Sequence, residues 1–310
     1  MFYKTKFRII FQYIISKKKQ FMKFAHSFWS KPLFNNKFDK FENSLKNIIV
    51  DYACSLNCIH HHNEKIVLYA DRVGANLLSF LPYDEVYIID DMDDNSIHFA
   101  AQIKFEALKR MDLGDVLIDG DLFLRTKEVI QYIKNFDEDI VYSFFEPHEV
   151  TLRASSARRH INLANILNGH TRYGVPRKTE EFGWFNTSLM KFNNQKLLDE
   201  YIEQYEYHKK QLSNIDFGDT WPDIIIEQYF LTTLVKQNNY SDRPVIENYY
   251  YDPKCNERSL KLGFVHLGGY KSMFYDWTLN IIKKQDKKFH HKVIKELNKM
   301  LIAYKKLHNR

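Results

Sequence analysis

Short apolar runs along this chain alternate with longer segments whose apolar residues recur every three or four positions. The first kind reads as strand and the second as amphipathic helix. Met22–Ser30 is the first predicted strand, and Pro32 closes it because proline cannot donate to a ladder. Phe38, Phe41, Leu45, Ile48, Ile49, Tyr52 and Leu56 follow at helical spacing. Lys65–Ala70 is a second strand, with a short helix from Val73 to Phe80 behind it. Glu85–Ile89 is a third strand, Ser96–Met111 a helix, and Asp115–Ile118 a fourth strand. This alternation predicts an α/β fold with a mainly parallel, doubly wound sheet and helices on both faces.

The second half is less regular. Thr126–Asn135 reads as a helix, with Thr126 as N-cap and Glu128 in the first turn. Ile140–Phe144 and Phe182–Phe192 read as strands. Between them His148–Leu167 is a polar, Arg-rich helix, either a solvated surface element or a mobile cover. Asn194–Leu212 and Asp223–Gln237 are predicted helices, with Pro222 suited to the first turn of the latter. Gly263–His266 is a short strand. From Asp276 onwards the pattern is mainly helical, with Val293, Ile294, Leu297, Leu301 and Tyr304 in one stripe.

One segment carries most of the chemical information. Val116-Leu-Ile runs into Asp119-Gly120-Asp121, and Leu122-Phe-Leu124 follows. A continuous apolar run of this kind suits a strand buried on both faces. Asp is seldom buried unless it is paired or binds a metal. Residues i and i+2 of a strand share a face, and Gly120 between the two acids is free to take backbone angles that turn both carboxylates to one point. Converging hard oxygens suit Mg²⁺ or Mn²⁺ shared with a diphosphate, and ligands of open α/β sheets bind beyond the carboxyl ends of the strands.

Asp-x-Asp after an apolar strand resembles the metal motif of GT-A glycosyltransferases, which transfer a sugar from a nucleotide-sugar donor. Three later segments are similar to elements of glycosyltransferase family 8 and its relatives. Phe185-Asn186-Thr187-Ser188-Leu189-Met190 resembles their Phe-Asn-(Ser/Thr/Ala)-Gly-Val-Met strand. Asp223-Ile-Ile-Ile-Glu227-Gln228-Tyr229 resembles the acidic-Gln segment below the acceptor. His266-Leu-Gly-Gly-Tyr-Lys271 resembles their late His-x-x-Gly-x-x-Lys element. Three departures stand out. The late element is one residue short between Gly269 and Lys271, Ser188 replaces a Gly, and Glu227 replaces the more usual Asp. They mark a divergent relative and leave both retention and inversion of anomeric configuration open.

The resemblance implies Asp119, Asp121 and His266 as metal ligands, with Asp119 also near the donor ribose. It implies Lys271 as the diphosphate cation and a donor contact for Lys104. Gly268 and Gly269 allow close backbone approach to phosphate. Asn186 can offer amide donors and a carbonyl to sugar hydroxyls. Gln228 would lie beneath the anomeric carbon with Glu227 beside it, as nucleophile, base or helix-terminal acid. His148, Asp71 and Trp184 are weaker candidates. A leaving diphosphate gains charge, which a divalent ion and a nearby lysine stabilise. The implied partners are a nucleotide sugar, a UDP-sugar above all, and a glycan or lipid-linked acceptor.

Composition changes the picture at the two ends. Hydrophobic residues make up 45% of the 310 positions, ample for a folded core. Net charges of +7 over residues 1–23 and +8 over 283–310, against +6 for the whole, leave −9 for the body. An acidic body speaks against nucleic acid as a partner. Basic amphipathic ends fit an anionic membrane surface, although the C-terminal stripe equally fits packing on the domain. This divides the chain into an N-terminal basic extension (1–20), a catalytic domain (21–275) and a basic amphipathic C-terminal helix (276–310). The first 20 residues hold no span-length apolar run and no signal cleavage site, and Met22 is an alternative start. Three cysteines fit a reducing cytosol, so the expected location is cytoplasmic, peripheral at the inner face of a membrane. Cys54 and Cys58, one turn apart before His60-His61-His62, read as core residues rather than zinc ligands.

Two rival readings remain at this stage. A nucleotidyltransferase that makes nucleotide sugars has a similar sheet, but it would begin with a Gly-rich basic loop that Phe28-Trp-Ser-Lys-Pro32 lacks. A catalytically inactive glycan- or membrane-binding module has no need of Asp119, Asp121, His266 and Lys271 together.

Overall fold

The structure is a computed structural model and describes residues 22–34, 38–90, 92, 101–146, 184–212, 225–247 and 253–308. Its strands are β1 (Phe24–Phe28), β2 (Ile66–Ala70), β3 (Glu85–Ile88), β4 (Val116–Ile118), β5 (Leu122–Leu124), β6 (Ile140–Glu146), β7 (Trp184–Phe192), β8 (Asp242–Ile246) and β9 (Phe264–His266). Among the described residues seven of them form one sheet in the order β3-β2-β1-β4-β7-β6-β8, and β5 with β9 form a separate two-stranded ribbon. The pairs β1–β2, β2–β3, β1–β4 and β6–β8 are parallel, while β7 runs antiparallel to β4 and β6. The mainly parallel α/β sheet expected from the alternation is therefore present, with one reversed strand near its middle.

Strand side chains alternate between two cores, as a period of two requires. Phe24, Phe28, Ile66, Leu68, Val116 and Ile118 face one core. It is built with α1 (Lys31–Phe34), α2 (Phe38–His61), α3 (Arg72–Leu77), α5 (Lys127–Lys134) and the C-terminal helices α9 (Tyr275–Gln285) and α10 (Lys287–His308). Ala25, Val67, Tyr69 and Leu117 face the other core, with α4 (Gln102–Leu108), α6 (Gln195–Leu212) and α7 (Phe230–Gln237). Helices thus cover both faces. Cys54 and Cys58 are buried free thiols inside α2, and Thr126 caps α5 by accepting from the Val129 N–H at 3.3 Å.

Several expectations need correction. Strand β8 was not anticipated, because Pro244 breaks its pattern; it lies at the sheet edge, where a missing donor is tolerated. Helix α8 (Pro253–Leu262) was missed because its sequence is mostly polar. The predicted helix from Asp223 is wound as a π-turn over Ile225–Tyr229 before α7 begins. The single C-terminal helix is two, broken at Asp286, whose carboxylate accepts from the N–H groups of Lys288 (2.8 Å) and Phe289 (2.9 Å) and so caps α10. Residues 1–20, 93–100 and His148–Leu167, which carried three of the expectations, lie outside the described residues.

The C-terminal stripe packs on the body. Val293, Leu297 and Leu301 are buried in the first core, and Tyr304 stacks on Phe41 with ring centroids 3.9 Å apart. Burying three such side chains contributes roughly 1.5–3 kcal/mol each, and Lys305 adds an ion pair to Glu42 at 3.2 Å. Of the two fates open to the stripe, packing on the domain is the one observed, and lipid is not available to its apolar side. No described helix is long and apolar enough to cross a membrane.

Candidate active site

The carboxyl end of β4 is where the chemistry collects. The Asp119 N–H donates to the Ser188 carbonyl of β7 at 2.8 Å, which fixes the end of the strand. The Leu122 N–H then bonds back to the Asp119 carbonyl at 3.0 Å, closing a tight turn through Gly120 and Asp121. Gly120 was expected to supply unusual backbone angles. Its φ is not positive; instead the Tyr52 ring lies where a Cβ would be, so any side chain here would collide with it. Tyr52 is itself anchored, donating to the Ser27 carbonyl at 2.6 Å.

The ribbon explains how His266 reaches the turn from 145 positions away. Leu122 of β5 pairs with His266 of β9, and the Leu267 N–H donates to the Asp121 carbonyl at 3.1 Å. Gly268 follows at φ +54°, a left-handed conformation that glycine adopts without strain. The chain then curls into a 3₁₀ segment, Gly268–Phe274, which returns Lys271 to the site. Its ammonium lies 3.1 Å from Asp121 Oδ2, and His266 Nε2 lies 3.8 Å from the same oxygen. One ligand atom each from Asp119, Asp121 and His266 fall within 4.8 Å of one another.

Charge is finely balanced here. Burial works to raise the Asp121 pKa, but Lys271 and His266 outweigh it and hold the carboxyl below its usual range. Burial lowers the His266 pKa, against the pull of Asp121 and Asp119, so the imidazole is neutral and able to ligate. Two carboxylates and one neutral imidazole are a donor set that fits Mn²⁺ or Mg²⁺ better than a thiophilic metal.

A second knot adjoins the first. Lys104 on α4 places its ammonium 2.8 Å from Asp119 Oδ1 and 2.6 Å from Glu227 Oε1. Burial alone would lower the Lys104 pKa, but these two carboxylates hold it well above the ordinary value. Thr187 Oγ1 of β7 also donates to Glu227 Oε1 at 2.6 Å, and the Tyr201 hydroxyl donates to the Glu227 carbonyl at 2.8 Å. The π-turn therefore carries a carboxylate that is already well bonded.

Ser27, Trp29, Tyr52, Lys104, Asp119, Asp121 and Lys271 border a cleft of about 320 Å³. Of the residues singled out in the sequence, Asp119, Asp121, His266, Lys271, Lys104 and Glu227 are brought together. Asn186 is not part of that cluster. Its amide donates to Glu146 Oε1 at 2.6 Å and its carbonyl accepts from the Ser188 N–H at 3.1 Å, so this side chain is tied within the sheet. Gln228 is half-buried on the π-turn, and its carbonyl accepts from Thr232 at 2.8 Å. Asp71 serves the fold, accepting from the Ser30 N–H (2.8 Å) and hydroxyl (2.5 Å). Trp184 is buried against Tyr229, and His148 lies outside the described residues.

Sequence reasoning missed Asp51. It lies on α2, 3% exposed, beside the cleft, and its Oδ2 has no hydrogen-bond partner among the described residues. Burial pushes its carboxyl up to about 8, with Lys271 opposing and Asp121 adding to the rise. The signal was available, since Asp51 falls three residues after Ile48 and one before Tyr52, within the apolar side of a predicted helix.

Among solved structures the chain is similar to a crystal structure of the galactosyltransferase LgtC in complex with donor and acceptor sugar analogues. The TM-score is 0.45 at 10% identity, over 87% of this chain and 100% of that one. No family model matches the chain, and no curated protein sequence matches it.

Proposed function

We propose that this chain is a metal-dependent GT-A glycosyltransferase that moves a sugar from a nucleotide sugar, a UDP-sugar above all, to a glycan or lipid-linked acceptor. The observation that carries the reading is the convergence of Asp119, Asp121 and His266 on one point at the end of a sheet strand, beside an open cleft. Chance pairs of acids are common, but a ligating His delivered from 145 positions away by a dedicated two-stranded ribbon is not. The motifs that resemble family 8 point to the same residues.

In this reading Asp119, Asp121 and His266 would hold Mn²⁺ or Mg²⁺. Such an ion supplies Lewis-acid stabilisation of the charge that grows on a leaving diphosphate. Lys271, 43% exposed at the mouth of the site, supplies a mobile positive charge for the same phosphates. Lys104 holds Asp119 in place and keeps Glu227 paired. Glu227, with Lys104 and Thr187 both on Oε1, positions that lysine rather than removing a proton. By the family resemblance, Gln228 would lie beneath the sugar, and Gly268 and Gly269 would let backbone approach the phosphates.

The C-terminal lysines extend the proposal to an anionic membrane surface at the cytoplasmic side. Lys283, Lys284, Lys287, Lys288, Lys292, Lys295 and Lys299 are exposed on α9 and α10. With the stripe buried, attachment would be electrostatic, worth on the order of 1 kcal/mol per lysine and weakened by salt.

The test is a panel of nucleotide sugars incubated with the protein, with and without Mn²⁺, following release of nucleoside diphosphate. Metal-dependent release from one donor class is the expected result. No release from any donor with any divalent ion, or synthesis of a nucleotide sugar from a nucleoside triphosphate and a sugar phosphate, would overturn the reading.

A further inference from the structure

Asp51 is a buried carboxyl with an oxygen that nothing among the described residues bonds, next to a cluster rich in charge. Leaving such a group unsatisfied costs about 1–3 kcal/mol, so its retention at the cleft needs a physical reason. It does not belong to the triad, because the set of ligand atoms within 4.8 Å of one another comprises Asp119, Asp121 and His266.

Lys271 supplies the reason. Its ammonium rests on Asp121 Oδ2 at 3.1 Å, and that oxygen is also the one facing His266 Nε2 at 3.8 Å. A divalent ion held between Asp121 and His266 would take this oxygen. Two cations on one carboxylate oxygen repel strongly in a partly buried site. The ammonium must therefore leave Asp121 when the ion arrives. Asp51 borders the same cleft, and its carboxyl and the Lys271 ammonium each feel the other's charge.

We propose that Asp51 is a positioning residue, the second seat of the Lys271 ammonium, which it occupies when a divalent ion takes Asp121 and before a diphosphate is present. The proposal rests on the divalent-ion reading of the triad. In the ion-free protein Lys271 neutralises Asp121 and keeps the two carboxylates of the triad from repelling. Once the ion has come, Asp51 keeps the displaced ammonium inside the cleft instead of in solvent, ready for phosphate. The lysine's long stem and 43% exposure leave room for that movement.

The experiment is a double-mutant cycle read by Mn²⁺ binding to the full chain without nucleotide, using the electron paramagnetic resonance signal of free Mn²⁺. Lys271→Met removes the competitor and should tighten Mn²⁺ by about tenfold. Asp51→Asn removes the second seat and should weaken it by about tenfold in the native background. In the Lys271→Met background Asp51→Asn should change nothing. Asp51→Ser provides the same cycle where the amide disturbs folding, and thermal unfolding checks each variant. Equal weakening by Asp51→Asn in both backgrounds would overturn the proposal in favour of direct ion contact or a structural role, and so would no weakening in either. Failure of the unaltered protein to bind Mn²⁺ would instead bring down the divalent-ion reading and this proposal with it.

Discussion

Asp121 and Glu227 are two buried carboxylates bordering one site, and their surroundings differ in kind. Asp121 shares a single oxygen between Lys271 and His266, with Asp51 unsatisfied nearby. Glu227 has Lys104 and Thr187 on one oxygen and Tyr201 on its carbonyl. In the first arrangement the cation, Lys271, is 43% exposed, which leaves it open to exchange for another cation. In the second, Lys104 is largely buried and Glu227 Oε1 already accepts two bonds. A carboxylate oxygen engaged in this way is less able to take a proton, whereas one whose cation can be exchanged is placed to bind. The comparison separates a binding end of the site from a framework end, and the two ends meet at Asp119, which belongs to the triad and which Lys104 ties to Glu227.

The largest effect should come from breaking the binding end. Asp121→Asn keeps shape and loses charge, so turnover of the preferred donor should fall by about 10³-fold or more while the unfolding midpoint changes little. Steady-state assays beside calorimetry would check it; a variant retaining tenfold-reduced activity would place the metal elsewhere. The framework end should instead reveal itself in stability. Lys104→Met leaves buried Glu227 and partly exposed Asp119 without their shared cation, costing about 3 kcal/mol, while Lys271→Met leaves the single carboxylate of Asp121 without a cation that is itself 43% exposed, and should cost less, about 1–2 kcal/mol. Denaturant titration measures both, and equal costs would dissolve the distinction between the two ends.

A third prediction uses pH. His26 is fully buried on β1, bonded to the Tyr83 hydroxyl (2.7 Å) and the Ser55 hydroxyl (2.9 Å), and burial lowers its pKa from 6.5 to about 3 against the opposing charge of Asp121. Below pH 6.5 the unfolded chain takes up a proton that the folded one refuses. The stability this neutral His contributes is therefore full above that pH and drains away as pH falls towards 3. At pH 5 the loss from this residue is about 2 kcal/mol. His26→Gln should flatten the decline between pH 7 and pH 5, and an unchanged slope would assign the decline to other groups. The smallest effect belongs to Glu227→Gln, which keeps the Thr187 bond and weakens the hold on Lys104. A loss near tenfold is expected if Glu227 only positions Lys104. A loss as large as that of Asp121→Asn would make Glu227 the reacting base instead.

How much of this was legible in the sequence follows from what each signal encodes. The parallel half of the sheet was readable because β1, β2, β3 and β4 are apolar runs separated by amphipathic helices, a pattern with one common solution. Strand β8 was not, because Pro244 contradicts a strand and only its edge position resolves the contradiction. Asp119, Asp121, His266 and Lys271 were legible as motif residues, but what joins them is the pairing of β5 with β9, a long-range register that no local pattern states. Gly120 was noticed for its backbone freedom, when the cause is the Tyr52 ring from a distant helix. Asn186 resembled a sugar contact, and its bonds run to Glu146 of the neighbouring strand and to the Ser188 N–H on its own, the first of which only the sheet pairing reveals. Asp51 was overlooked because a single acid in a helical stripe is ordinary until the neighbouring cleft is known.

The central claim is that Asp119, Asp121 and His266 hold one divalent ion at the end of β4. Crystals grown with Mn²⁺ and UDP, measured at the manganese absorption edge, test it most directly. One anomalous peak is predicted within about 2.3 Å of a carboxylate oxygen of Asp121 and of His266 Nε2, with the Lys271 ammonium moved off Asp121. No peak at these three residues in crystals with UDP bound, or a peak elsewhere with Lys271 still on Asp121, would contradict it.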